Sequence, residues 1–223
     1  MSGNGRLIVL DGLDGSGKTT QFELLRDALS QRGIPCKPIS FPDYGQPSSA
    51  LVKMYLNGEF SADCNAVNAY AASSFYAVDR FASYKKFWED DYHAGTLILA
   101  SRYVSSNAIH QMAKLPHGEW DGYLAWLSDY EYDKLALPRP DKVLFLDMPG
   151  DVAQRLLSAR YGGDESKKDI HEANAAYLLR CREAALYAAA SLGWAVVPCG
   201  DADGPLPREA IHQSILTTIA EVL

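Results

Sequence analysis

Apolar residues along this chain fall into two textures, short unbroken runs and longer stretches that repeat every three to four positions. The runs at Leu7 to Leu10, Thr96 to Ala100, Lys142 to Leu146 and Ala195 to Pro198 predict strands, and the more mixed stretch Lys37 to Phe41 is a further strand candidate. Runs without polar alternation mark strands buried on both faces, as in a parallel sheet. Between them, Phe22, Leu25, Ala28 and Leu29 recur at helical spacing and stop at Gly33. Further helices are expected at Ser49 to Leu56, Asp63 to about Asp91, Trp120 to Leu137, Asp151 to Arg160, Ile170 to Leu192, and Leu206 to the end. In the Asp63 stretch, Val67, Tyr70, Ala71, Ser74, Phe75, Val78 and Phe81 lie near one stripe. Strands alternating with helices predict an α/β fold with a parallel sheet covered on both sides. No repeat, low-complexity tract or dividing linker interrupts residues 1–223, so a single domain is expected.

The first predicted strand runs straight into Asp11-Gly12-Leu13-Asp14-Gly15-Ser16-Gly17-Lys18-Thr19-Thr20. Gly12, Gly17, Lys18 and Thr19 have the spacing of a phosphate-binding loop, and a helix follows. Wrapping a triphosphate in backbone N–H groups requires such glycines, here at 12, 15 and 17. The helix start adds the positive end of its dipole. Lys18 suits the outer phosphates, and the Thr19 hydroxyl suits a magnesium ion.

Charge and cysteine content narrow the class. Of 223 residues, 21 are Lys or Arg and 28 Asp or Glu, a net charge of -7 that argues against a nucleic-acid surface or an anionic membrane. Cys36, Cys64, Cys181 and Cys199 have neither C-x-x-C spacing nor the density of a disulfide scaffold, so buried free thiols are expected. The polar start Met1 to Gly5 and the lack of any long apolar run predict a cytoplasmic protein without a membrane span.

Ligands of parallel sheets bind beyond the carboxyl ends of the strands. Asp43, Ser101, Arg102 and Asp147 follow predicted strands and could share one crevice with the glycine loop, although each also suits a turn or helix cap. Arg102 has the fork that matches phosphate oxygens. Tyr76 and Arg80, four apart with Ser73 a turn earlier, could hold a base and a phosphate. The plain alternative is a core-margin tyrosine beside a solvated arginine. Arg155, Arg160, Tyr161-Gly162-Gly163 and the charged run Asp164, Glu165, Lys167, Lys168, Asp169 have the composition of a lid over phosphates, or simply of a solvated loop.

Together these residues give the chain a resemblance to the thymidylate kinases, a family of nucleoside monophosphate kinases. It is carried by residues 11–20, Phe-Pro-Asp at 41–43, Phe-Tyr-Ala-Val-Asp-Arg at 75–80, Arg102-Tyr103, Ser-Asn-Ala-Ile-His-Gln at 106–111, Leu-Pro-Arg-Pro-Asp at 137–141 and Lys-Asp-Ile-His-Glu at 168–172. Within the family it most resembles the branch of clostridia-like bacteria. The resemblance implies a P-loop NTPase-like three-layer α/β/α fold, with a five-stranded parallel sheet and a lid at about 158–170. It implies transfer of the γ-phosphoryl of ATP to thymidine monophosphate with Mg²⁺, in a homodimer paired through the long helix.

Carried over residue by residue, Gly12, Asp14, Gly15, Ser16, Gly17, Lys18, Thr19 and Thr20 would hold ATP, with Arg155 packed on adenine. Asp14 would also meet the acceptor sugar, and Phe41, Pro42 and Asp43 would line the acceptor pocket. Tyr76 would stack on thymine, Arg80 would contact the base, and Arg102 would bind the acceptor phosphate. Ser106, Asn107 and His110 would border the base, while Arg160 and Lys168 are the candidate lid cations. Lys18, Arg102, Asp14 and Arg160 are thus the expected catalytic set, and Thr19 and Ser101 the metal set.

Two departures stand out. The family pattern Asp-Arg-Tyr is here Ser101-Arg102-Tyr103, which removes a charge from the magnesium shell; Asp11 or Asp147 could compensate through water. Tyr44 stands where many relatives carry arginine or glycine. The departure at Ser101 leaves a catalytically weak nucleotide-binding relative as one alternative, and a kinase for another pyrimidine nucleotide or deoxynucleoside as the other.

Overall fold

The structure is a computed structural model that describes residues 5–160 and 174–223. Strands β1 (Leu7–Gly12), β2 (Cys36–Ser40), β3 (Leu97–Ser101), β4 (Lys142–Asp147) and β5 (Ala195–Pro198) form one parallel sheet in the order β2-β3-β1-β4-β5. These are the five strands expected from the sequence, shifted by no more than a residue or two at their ends. Successive side chains enter opposite cores. Leu7, Val9, Ile98, Ala100, Val143 and Phe145 face one side. Ile8, Leu10, Leu97, Leu99, Leu144 and Leu146 face the other. Where both faces are covered, as along Leu7–Leu10, Leu97–Ala100 and Val143–Leu146, neither side tolerates polar residues and the runs are continuous; the edge strands β2 and β5 are only partly buried.

The helices are α1 (Lys18–Gln31), α2 (Ala50–Leu56), α3 (Ala69–Ser83), α4 (Glu89–His93), α5 (Ser105–His110), α6 (Trp120–Ser128), α7 (Gly150–Arg160), α8 (Ala175–Leu192) and α9 (Arg208–Ile219). Helices α1 and α9 cover one face with Leu25, Leu29, Ile211 and Ile215. Helices α5, α6 and α8 cover the other with Ile109, Leu124, Leu127, Ala184 and Ala188.

Two helical expectations are corrected, and one helix is new. The stretch from Asp63 to Asp91 becomes helical only at Ala69, where the Asn68 side chain accepts from the Ala71 N–H, and it breaks into a π turn at Tyr84–Trp88 before α4. Trp120 to Leu137 is likewise α6 followed by a π turn at Asp129–Lys134. Helix α5 was not expected at all. All six of its residues are buried, so Ser, Asn and His interleave with Ala and Ile and leave no apolar stripe to read.

Register sets the position of the site. Ser101 pairs with Leu10 on one side and Ser40 on the other, so β2 and β3 finish at one level and β1 runs two residues further into the glycine loop.

Candidate active site

The glycine loop bridges β1 and α1, and its glycines answer to steric need. A Cβ on Gly12 would lie 2.7 Å from Ser16 Oγ and 3.0 Å from the Leu146 carbonyl oxygen. Gly15 has φ +82, and a Cβ there would lie 2.5 Å from the Ala153 carbonyl oxygen. Helix α1 starts without a side-chain cap and without an acidic residue in its first turn. Its leading N–H groups and positive dipole end are thus available to an anion. Lys18 Nζ turns back to the Gly12 carbonyl at 3.3 Å.

A cavity of about 430 Å³ opens beside this loop. Asp14, Lys18 and Thr19 line it from the loop, and Phe41 and Pro42, joined by a cis peptide, from the end of β2. Tyr76 and Arg80 enter from α3, Ser101 and Arg102 from β3, and Ser106, Asn107 and His110 from α5. Ser40, Tyr44, Leu56 and Gln111 complete the wall without having been anticipated as ligands. A second cavity of about 380 Å³ is lined by Gly15, Ser16, Gly17 and Thr20 of the loop together with Leu206 and Arg208. Residues 14–20 therefore line two hollows between them.

Arg102 is the electrostatic centre of the first cavity. It is a non-glycine residue at φ 65, and its N–H reaches the Leu10 carbonyl at 2.9 Å. Its Nη2 donates to Asp14 Oδ1 at 2.7 Å, and its Nη1 lies 3.0 Å from His110 Nε2 and 3.6 Å from Asp11 Oδ1. A guanidinium only donates, so Nε2 of His110 accepts and the ring proton sits on Nδ1. Burial works to raise the Asp14 pKa, but the charges of Arg102 and Lys18 outweigh it and hold the carboxyl well below the usual carboxylate range. Burial works against the Arg102 charge, and Asp14 and Asp11 more than restore it.

Several expected residues stand elsewhere. Asp43 does not line the cavity; its N–H donates to Asp79 Oδ2 at 2.8 Å, so that turn is built around Asp79. Asp147 is clamped by Arg182 at 2.6 and 2.8 Å, facing α8 rather than the crevice. Asp11 is fully buried and accepts from the Gly12 N–H and the hydroxyls of Ser105 and Ser106 at 2.6 to 2.8 Å. Those contacts engage its carboxylate, so neither acid is placed to replace the missing aspartate. Arg155 pairs with Asp151 one turn away on the exposed side of α7, and it lines neither cavity. The side chain of Arg160, Lys168 and nearly all of the expected lid lie outside the described residues. Arg80 is not solvated but 1% exposed, with Nε and Nη2 both 2.6 Å from the carboxylate of Glu131. Glu131 had no local signal in the sequence, where it sits between Tyr130 and Tyr132.

No cluster of three or more His, Cys, Asp or Glu able to hold a metal exists among the described residues. The hydroxyl-bearing Thr19 and Ser101 do share the first cavity. That donor set fits a magnesium ion held mainly by phosphates and water, which needs few protein oxygens.

A strand, a glycine loop and a capless helix at the tips of a parallel sheet define a phosphate-binding-loop protein of the nucleotide-handling α/β class. The sequence model of the thymidylate kinase family matches residues 10–215. The chain belongs to the thymidylate kinase family. It is 30% identical over 191 residues to the thymidylate kinase of Mycobacterium tuberculosis, covering 84% of this chain and 87% of that one. A probable thymidylate kinase of Pyrobaculum aerophilum is 26% identical over 190 residues, covering 85% and 86%. The fold is shared with thymidylate kinase from Candida albicans, with a TM-score of 0.70 and 22% identity over 98% of this chain and 92% of that one. None of these similarities singles out a bacterial branch.

Proposed function

We propose that the chain acts as one nucleoside monophosphate kinase domain, transferring the γ-phosphoryl of ATP to thymidine monophosphate and releasing thymidine diphosphate and ADP. The observation that carries this reading is the glycine loop lining two cavities, one through Gly15, Ser16, Gly17 and Thr20 and one rich in side-chain donors. ATP would lie along the second cavity, its phosphates wrapped by Gly12 to Thr20 and met by Lys18. Arg155, whose exposed pair with Asp151 contributes little, would exchange it for the adenine face.

The acceptor would enter the first cavity. Tyr76 would stack on the base, Arg80, Ser106, Asn107 and His110 would border it, and Phe41 and Pro42 would close one side. Arg102 would fork onto the acceptor phosphate, and Asp14, already tied to Arg102, would turn its other oxygen to the sugar. An acceptor phosphate oxygen then bonds to the γ-phosphorus as the bond to ADP breaks in line. Such transfer depends on positioning and charge neutralisation, which Lys18, Arg102 and the expected lid cations Arg160 or Lys168 would supply. Mg²⁺, when bound at Thr19 and Ser101, would neutralise charge on the transferring phosphoryl group.

Tyr70, Val78 and Phe81 are exposed along α3, with Leu51 exposed on α2. A homodimer through this apolar face would cover them. No helix among the described residues is long and apolar enough to cross a membrane. A cytoplasmic setting suits the four free cysteines.

A coupled ADP-release assay with thymidine, deoxyuridine and deoxycytidine monophosphates tests the reading. Turnover is expected with thymidine monophosphate; none with any acceptor, alongside intact ATP binding, would overturn it.

A further inference from the structure

Two buried residues facing the first cavity have their polar atoms committed by a third that no reading of the sequence singled out. Glu131 is fully buried, the one buried residue of the π turn at Asp129–Lys134. π turns inserted in helices are frequent at functional sites. Its Oε2 accepts from Arg80 Nε at 2.6 Å, and its Oε1 accepts from Arg80 Nη2 at 2.6 Å and Asn107 Nδ2 at 2.9 Å. Asn107 Nδ2 also donates to the Ser73 carbonyl at 3.2 Å. A carboxylate and a backbone carbonyl only accept, so the orientation of the Asn107 amide is forced. Both of its N–H groups are spent inside the protein. Its Oδ1 accepts from nothing among the described residues, and Asn107 lines the cavity.

Arg80 presents the complementary polarity. Three of its five N–H groups go to Glu131 and, at 3.3 Å, to the Tyr103 carbonyl. The two that remain belong to a side chain lining the same cavity. The wall therefore offers an acceptor from Asn107 beside donors from Arg80. A base edge that answers it has an N–H next to a carbonyl. In the register that sets ring position 3 against Asn107 and the group at position 4 against Arg80, thymine and uracil present that N–H and carbonyl, whereas cytosine turns an unprotonated nitrogen to the Asn107 oxygen and an amino group to the Arg80 donors.

We infer that Glu131 is a positioning residue for acceptor choice: by holding Arg80 and the Asn107 amide, it fixes a polarity that admits keto pyrimidines and rejects cytosine. This rests on the first cavity being the acceptor site. Glu131 does not touch the base; it acts through two residues that would. Its own burial is balanced by three N–H groups converging on its two oxygens. Glutamine in its place brings one acceptor oxygen and an NH₂ group. An N–H must then face an N–H, and the Asn107 amide is released to turn.

The test measures kcat/KM for thymidine and deoxycytidine monophosphates on wild type and Glu131→Gln, with folding checked by far-UV circular dichroism. The ratio between the two acceptors is expected to fall about tenfold or more in the variant, chiefly through KM. An equal loss for both acceptors would mean that Glu131 only supports the fold, and would overturn the inference. A second measurement needs no variant. In ¹⁵N-labelled wild type without nucleotide, the two Asn107 amide protons should be protected from exchange with water, because both are bonded internally. Rapid exchange of either would overturn the assignment even if Glu131→Gln failed to fold. That arm does not depend on turnover, so failure of the acceptor reading itself would be seen separately, as wild type that processes neither nucleotide.

Discussion

Arg102 Nη2 donates to Asp14 Oδ1 at 2.7 Å, joining the turn after β3 to the glycine loop 88 positions earlier in the chain. The bond holds an arginine fork and the phosphate loop at one separation, which in-line transfer between two phosphates demands. Arg102 adopts a left-handed backbone conformation to reach there. Such strain persists where the surroundings over-determine it.

Replacing Arg102 by lysine keeps the charge but loses the fork, so Asp14, His110 and an acceptor phosphate can no longer be met together. The expected loss in kcat/KM for thymidine monophosphate is about 100-fold or more. Steady-state kinetics would check it, and an activity within about twofold of wild type would remove Arg102 from the mechanism.

The same pair makes stability depend on pH. The Asp14 carboxyl is held below its ordinary value of 3.8, so its ionised form favours the folded state. That contribution is complete above the unfolded value and is lost as pH falls through it toward the folded one. The stability gap between wild type and Asp14→Asn should stay level from pH 7 to about pH 5, then narrow below about pH 4. Thermal unfolding across that range measures it; a gap that widens on acidification would contradict the ion pair.

Ser101 lines the acceptor cavity without a carboxylate, and Asp11 and Asp147 are both engaged elsewhere. Ser101→Asp should therefore lower the Mg²⁺ concentration giving half-maximal activity by about 10-fold or more and raise the rate at limiting metal. A titration of rate against Mg²⁺ gives the answer. An unchanged curve would place the metal away from Ser101.

Val78 and Phe81 are 45% and 38% exposed on α3, beyond the reach of either core. If this face pairs two copies, Val78→Glu with Phe81→Glu should halve the mass seen by light scattering without lowering the melting temperature at high dilution. A wild type that is already monomeric at micromolar concentration would end the dimer proposal.

The five strands, their alternation with helices and the loop at Gly12 to Thr19 were legible in the letters alone, because the patterns that mark them are local in sequence. A strand buried on both faces must be apolar throughout, and a loop that wraps phosphate must place glycines where a Cβ would strike Ser16 or Ala153. Which polar residues meet is a long-range matter. Arg80 reads equally well as solvated or buried until Glu131 arrives from 51 positions away, and Asp147 looks like a site residue until Arg182 claims it. Helix α5 escaped for the same reason, since a segment enclosed on every side has no exposed face to set its period. Local propensity and steric exclusion wrote the scaffold, and packing alone decided which charges share a cavity.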